Sequence, residues 1–306
     1  MSKPSTFTNT LALQSVLVTG ATGFIGSSVI TLLSDSGIEV IGVHKHPLNR
    51  QSGLGCDMLC VDSDDPLACD ALMAERRPDA IVHLGGIVSG AQSTELIQPM
   101  LVAHVNSTVN WLAAAHRHGV KRVVVTGSME EPREGECAPH SPYAVSKLAA
   151  RQYVDYYRSQ GLVDAVQVGV AMGYGPGQRD QTKLVPHVIR QLQEGTPPAI
   201  NSAERLADWV YIDDISRALV HILFAATLPD GRLEIGTGHL TSVRDVVNTL
   251  VRVANSSVTP DFGAVANRFN EAKRAANTQL LSSLGWQAEV PLTEGLRRSY
   301  QAISQG

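Results

Sequence analysis

The chain has 306 residues, 43% of them hydrophobic and 18% charged, enough for one large folded unit or a large unit carrying a smaller lobe. A formal net charge of -4 and a pI near 6.2 leave no basic stripe for a phosphate backbone, so a nucleic-acid partner is not expected. No run approaches the roughly 20 apolar residues of a membrane span, and the opening MSKPSTFTNT is polar where a secretory segment is apolar; a cytoplasmic protein with a disordered tail over 1–12 is expected.

In chain order, short β-branched runs alternate with helical periodicity, the pattern of a parallel sheet covered by helices on both faces. Residues 15–19 (SVLVT) predict a strand, followed by a glycine loop and a helix ending near Gly37. Strands follow at 38–43, 58–61 and 80–84, with a helix over 65–77 stopped by Pro78. A long helix over 95–118 closes at Gly119, a strand covers 122–126, a helix runs over 143–160, and a buried strand over 165–172. Beyond Tyr174 the alternation gives way to loops and helices at 183–194, 213–226 and 243–254. The fold class is α/β, a Rossmann doubly wound parallel sheet spanning 13–172, to which 209–236 returns, with a smaller C-terminal substrate lobe of 173–208 and 237–306. Cys56, Cys60, Cys69 and Cys137 match neither a zinc-ligand spacing nor a redox pair and read as reduced structural thiols; no metal is expected.

Gly20-Ala21-Thr22-Gly23-Phe24-Ile25-Gly26 follows the first strand and opens a helix. The first glycine makes the turn, the second lets the backbone approach a pyrophosphate, and the third lets helix and strand pack closely, while the helix N-terminus supplies free N–H groups. Thr22, Phe24 and Ile25 join the glycines as cofactor-binding candidates, with Asp62 after the third strand as an adenine-side carboxylate. At the end of the second strand an NAD site carries an acidic residue for the ribose 2′-OH. This chain reads His44-Lys45-His46 there, with Arg50 beyond, so NADP is the expected cofactor.

Tyr143 and Lys147 stand four apart at the start of a helix and fall on one face. An ammonium beside a phenol favours the phenolate and makes the tyrosine a usable proton shuttle. Ser128, after a predicted strand, adds a hydroxyl. A tyrosine–lysine pair at this spacing is by itself commonly a surface pair; the glycine loop and Ser128 favour the catalytic reading.

With these residues in place, the chain resembles the extended short-chain dehydrogenase/reductases, also called the NAD-dependent epimerase/dehydratase family. The resemblance runs in order through TGATGFIG (19–26), HLGG (83–86, where the family usually reads HLAA), Asn106, TGS (126–128), SPYAVSK (141–147), YGPGQ (174–178), DWVYIDD (208–214) and LGW (284–286). It implies Tyr143 as acid/base, Lys147 as the group that tunes it and binds the nicotinamide ribose, and Ser128 as partner of the reacting oxygen. It further implies cofactor contacts at Leu84, Gly85, Gly86 and Asn106, and substrate contacts at Ser89, Met129, Met172, Lys183 and Arg268.

Family members mostly act on nucleotide sugars as 4-epimerases, 4,6-dehydratases or 4-ketoreductases. Glu130 stands where the dehydratases carry their base, but Met129 replaces the acid before it and has no proton to give. Glu130 then either contacts substrate or is a solvated carboxylate beside Glu131. The family's Arg-x-x-Asn before YGPGQ is Gly169 and Met172 here, a loss of polar anchors that points to a less polar substrate such as a deoxysugar nucleotide, or one without a nucleotide. The expected activity is a ketoreductase on a nucleotide-activated (deoxy)sugar. The alternatives are an NAD-retaining nucleotide-sugar 4-epimerase, then a 4,6-dehydratase or a non-catalytic dinucleotide-binding protein. The helices 95–118 and 143–160 carry more apolar positions than one sheet face can bury, and a homodimer through them is expected.

Overall fold

A computed structural model describes residues 10–46, 53–133, 135–136, 138–263 and 273–304. Its first half gives β1 (Ser15–Thr19), α1 (Phe24–Asp35), β2 (Glu39–His44), β3 (Asp57–Cys60), α2 (Pro66–Arg76), β4 (Ala80–His83), α3 (Ile97–Met100), α4 (Ser107–Arg117), β5 (Arg122–Ser128) and α5 (Pro142–Ser159). The second half adds β6 (Ala165–Val170), β7 (Met172–Tyr174), α6 (Leu184–Gln193), β8 (Leu206–Ala207), β9 (Trp209–Tyr211) and α7 (Ile212–Phe224). The chain then forms β10 (Leu233–Ile235), β11 (Thr241–Ser242), α8 (Val243–Val253), α9 (Gln279–Ser283) and α10 (Leu292–Ser304). Seven strands form one sheet in the order β10-β6-β5-β4-β1-β2-β3, every neighbouring pair parallel.

The order reverses between β1 and β4, so the loops leaving their C-terminal ends diverge and open a crevice there. One sheet face packs α1 and α7 against Val16, Val18, Val82 and Val124; the other packs α2, α4 and α5 against Leu17, Ile81, Val123 and Val125. Because neighbouring residues of a strand point to opposite faces, near-continuous apolar runs were needed to cover both. A third apolar cluster joins α6, α8 and α10 around Val188, Val246 and Leu296, with Phe24 and Ile25 of α1 packed against it.

Two elements differ from the expected boundaries for identifiable reasons. The strand expected to run to Met172 leaves the sheet at Ala171, whose N–H still reaches Ile235 O, while Met172 N turns to Asp208 O and starts β7 beside β9. The long helix is interrupted by a π-turn over Leu101–Asn106 between α3 and α4. Cys137 lies outside the described residues; Cys56, Cys60 and Cys69 are free thiols, and burial pushes Cys69 up to about 12, leaving it inert.

Candidate active site

The glycine loop lies at the crevice between β1 and β4. Gly20 has φ +65°, and a Cβ there would meet Gly85 N at 2.8 Å and the Leu84 carbonyl carbon at 2.9 Å. A Cβ on Gly26 would strike Gly20 O, so α1 packs directly on the turn. Thr19 fastens the two loops: its hydroxyl oxygen accepts from Leu84 N (3.1 Å) and Gly85 N (3.2 Å). Helix α1 begins at Gly23 with no side-chain cap and no acidic residue in its first turn, which leaves its positive N-terminal end open to an anion. Thr22 and Gly23 are exposed beside it. This cradle fits a dinucleotide pyrophosphate.

Ser128 ends β5 beside the crevice, buried to 7% exposure. Ser141 caps α5 by accepting from Ala144 N (3.2 Å), with Pro142 in the first turn, and this start buries both Tyr143 and Lys147. The Ser128 side chain acts on the Tyr143 phenol and favours its ionised form, while its Oγ accepts from Glu130 N at 3.1 Å. Lys147 Nζ donates to Thr126 O at 2.7 Å, two residues before Ser128. Ser128, Tyr143, Lys147 and the Leu84–Gly86 loop are therefore brought together, and Glu130 acts electrostatically on the phenol.

The expected depression of the phenol by Lys147 is not met by the protein alone. Burial pushes the Tyr143 phenol above the ordinary tyrosine value, with Glu130 adding to the rise and the Ser128 side chain opposing it. Burial lowers the Lys147 ammonium to about 8, against an upward pull from Glu131. Desolvation is the largest cause of both shifts, and Nζ is turned towards the Thr126 carbonyl.

Two histidines that the sequence reading did not single out sit behind this set. Thr19 donates to His83 Nδ1 (2.6 Å), since its oxygen already accepts two N–H groups, and His83 Nε2 then faces Ser107 Oγ at 3.2 Å. His104 Nε2 accepts from Ile87 N (3.2 Å), so its Nδ1 carries the proton and donates to Ser146 Oγ (2.7 Å), which in turn donates to Tyr143 O. The His104 ring also meets the Tyr143 ring edge-on, centroids 5.4 Å apart. Asn106, expected at the cofactor, is exposed on the π-turn, and helix residues two apart do not share a face; it is His104 that packs against Gly86 and Tyr143. The signal for it lay in HLGG: a Cβ on Gly86 would come within 2.7 Å of the His104 ring.

At the far end of the crevice His44 is buried, its Nδ1 donating to His46 O at 2.6 Å. Lys45 is not free: it pairs with Asp62 at 3.3 Å and with Asp64. Asp62 is thereby a partner of Lys45, and both are about half exposed. Of the substrate candidates, Met129 is buried directly after Ser128 and Met172 is half-buried on β7. Ser89 accepts from Ala91 N within its own loop, and Lys183 precedes α6, 3.9 Å from Asp180. Arg50 and Arg268 lie outside the described residues.

The space beside Gly169 is taken up from the start of the neighbouring strand. A Cβ on Gly169 would meet the Arg232 guanidinium at 3.1 Å, so an arginine lies there, arriving from just ahead of β10.

Comparison with known proteins agrees with this arrangement. Residues 16–236 match the model of the NAD dependent epimerase/dehydratase family. The chain is 29% identical to the UDP-glucose 4-epimerase of Mycolicibacterium smegmatis over 93% of its length and 97% of that protein's. It is 25% identical to the CDP-abequose synthase of Salmonella typhimurium, covering 94% of this chain and 97% of the other. The crystal structure of the Thermus thermophilus UDP-glucose 4-epimerase in complex with NAD matches at a TM-score of 0.82 and 25% identity, over 95% of this chain and 99% of that one. The cradle between β1 and β4, the Ser128/Tyr143/Lys147 set and a match covering most of the chain together mean that this protein belongs to the NAD-dependent epimerase/dehydratase family.

Proposed function

We propose that the protein is an NAD-dependent 4-epimerase of a nucleotide-activated sugar, oxidising a ring hydroxyl to a ketone and reducing it again from the other face. The observation that carries the choice of cofactor, and with it the choice of reaction, is the pairing of Lys45 with Asp62 and Asp64. The expectation of NADP rested on free positive charge at the end of β2. A lysine already neutralised by two carboxylates, and a His44 ring spent on His46 O, offer little to a 2′-phosphate, while the carboxylates repel it. The NAD in the Thermus thermophilus enzyme supports the same reading.

Held by the glycine loop of β1 and the Leu84–Gly86 loop, NAD would supply the hydride acceptor and donor. Tyr143 takes the proton of the reacting hydroxyl and returns it to the ketone oxygen, while Ser128 holds that oxygen by a hydrogen bond. Lys147, protonated below its value of about 8, stabilises the phenolate. Met129 gives the site no acid at the place where a dehydratase needs one. The substrate lobe over 173–208 and 237–306 would hold the nucleotide end.

A second reading, reduction of a keto-sugar nucleotide, draws on the Tyr143 phenol, which burial holds protonated and therefore ready to donate, and on the similarity to CDP-abequose synthase. One experiment separates the two. Nucleotide released from denatured, purified protein is identified, and the protein is given UDP-glucose. Tightly held NAD and formation of UDP-galactose without net NADH change support the epimerase. An empty site with stoichiometric NADH or NADPH consumption on a 4-keto sugar nucleotide replaces it with the reductase.

We also propose a homodimer. Ile97, Leu101, Val145, Tyr153 and Tyr156 are exposed at 39–55% on the paired helices α3–α5 and the π-turn between α3 and α4, an apolar face suited to a second copy across a twofold axis.

A further inference from the structure

Three polar side chains are buried on the sheet face beside Ser128 without touching the crevice chemistry themselves. Gly127, Gly169 and Glu234 lie in register across β5, β6 and β10, on one face of the pleat. The two glycines open a slot there. A Cβ on Gly127 would meet Glu131 Oε1 at 2.5 Å and Gln167 Nε2 at 2.8 Å, and one on Gly169 would meet Arg232 at 3.1 Å. Glu131 fills the slot at 1% exposure.

From there it accepts Ser128 N at 2.6 Å and Gln167 Nε2 at 3.1 Å, and Gln167 also donates to Lys147 O at 2.9 Å. Arg232 approaches from the other side. Its NH2 donates to Ser128 O at 2.7 Å, its NH1 to Glu131 O at 3.3 Å, and its Nε pairs with Glu234 at 3.2 Å, with Glu131 Oε2 4.0 Å away. Arg274 donates to Glu131 O at 3.0 Å and pairs with Glu136, and Arg133 forks onto Glu234.

We infer that Glu131 and Arg232 are the positioning residues of Ser128, holding its N–H and C=O from opposite sides so that its hydroxyl stays aimed at Tyr143. The inference rests on the reading of Ser128 as the residue that holds the reacting oxygen. Its physical basis is that Ser128 ends its strand: Met129 N still reaches Val170 O at 3.2 Å and Ser128 O accepts from Glu131 N at 3.2 Å, but Ser128 N finds its partner in the Glu131 carboxylate and Ser128 O a second one in Arg232. A buried backbone N–H and C=O need partners, and a buried ion pair supplies directional ones. Two glycines are needed because any side chain at 127 or 169 would occupy the space of the carboxylate or the guanidinium.

The test compares Glu131→Ala, Glu131→Gln and Arg232→Ala, each alone and combined with Ser128→Ala, using UDP-glucose as substrate. Amide hydrogen exchange of the peptide over 126–133 and NAD affinity are measured beside turnover. Glu131→Ala is expected to lower kcat about a hundredfold with KM nearly unchanged, the cost of displacing an aligned group by about an ångström. It should speed exchange at Ser128 and leave NAD affinity in place. Glu131→Gln keeps an acceptor for Ser128 N and should recover most of the rate. In the Ser128→Ala background the Glu131 and Arg232 substitutions should cost almost nothing more. Equal losses in both backgrounds, or unchanged exchange at Ser128 in Glu131→Ala, would overturn the inference. If Glu131→Ala does not fold, Arg232→Ala carries the same comparison, with Glu131→Gln as the variant that keeps the contact. Should the unmodified protein fail to convert UDP-glucose, the epimerase reading falls while the exchange measurement still decides whether Ser128 is held in this way.

Discussion

The imidazole of His104 lies so close over Gly86 that a Cβ on residue 86 would come within 2.7 Å of two of its ring atoms and 3.8 Å of Lys147 Nζ. The loop after β4 and the π-turn ahead of α4 are thus fitted to each other directly beside the Tyr143/Lys147 pair. Gly86→Ala is expected to destabilise the protein by about 1–3 kcal/mol, the usual cost of overpacking, and to disturb the loop carrying Ile87. Adding His104→Ala should restore part of that loss, because the space becomes free. Urea unfolding of both single variants and the double variant checks the pair, and strict additivity would remove the packing explanation.

Stability should fall in mild acid because of His83 and His104. Burial holds both down to about 3, against 6.5 for an exposed histidine, with Lys147 adding to each depression. Between those values the unfolded chain binds protons that the folded protein refuses, so stability falls as pH drops from 6.5 towards 3 and is unaffected above 6.5. The slope is roughly 1.4 kcal/mol per pH unit for each histidine. Denaturation measured from pH 7 to 4 should show it, and His104→Gln should remove about one proton from the dependence. An unchanged slope in that variant would contradict the assignment.

Tyr143→Phe removes the proton carrier and little volume. Turnover should drop by about 10²–10⁴-fold while NAD still binds. Lys147 sets the upper pH limit: its ammonium loses its proton near 8, so kcat should decline above that pH. Retention of most of the rate in Tyr143→Phe, or a pH profile flat to 10, would contradict these roles.

The unmodified protein should bind NAD more tightly than NADP. Neutralising the partners of Lys45 in an Asp62→Asn, Asp64→Asn variant frees its charge and removes two repelling carboxylates. The preference should then move towards NADP by up to about tenfold, or 1.4 kcal/mol, and by less at high salt because the site is half exposed. Titration of both cofactors at two ionic strengths measures it. Tighter NADP binding by the unmodified protein would return the reductase reading to first place.

Sedimentation at micromolar concentration should show a dimer, and Leu101→Asp with Tyr153→Asp should give a folded monomer by placing charge in the exposed apolar face. A monomer in the unmodified protein would leave that face needing another occupant.

The strand and helix order, the glycine loop and the Ser128/Tyr143/Lys147 set were legible in the amino-acid sequence because each depends on local chemistry. Hydrophobic periodicity, a glycine needed at φ +65° in Gly20 and a four-residue helical spacing are all written over a few neighbouring positions. Where the reading missed, the cause was long range. Lys45 looked like a free cation for a 2′-phosphate because its partners Asp62 and Asp64 are some twenty residues away, and His104 was not singled out because its contacts with Gly86 and Ser146 join segments far apart in the chain.

Gly169 looked like the loss of an arginine for the same reason. The guanidinium that lies over it comes from Arg232, more than sixty positions later, and Glu131, to which the sequence assigned no role, is buried behind Ser128. Amino-acid order by itself determined the family of folds and brought out Ser128, Tyr143 and Lys147 as the candidate set. Only the tertiary structure decided which charges are neutralised, which side chains are desolvated and what holds Ser128, because those depend on contacts between strands and loops far apart in the chain.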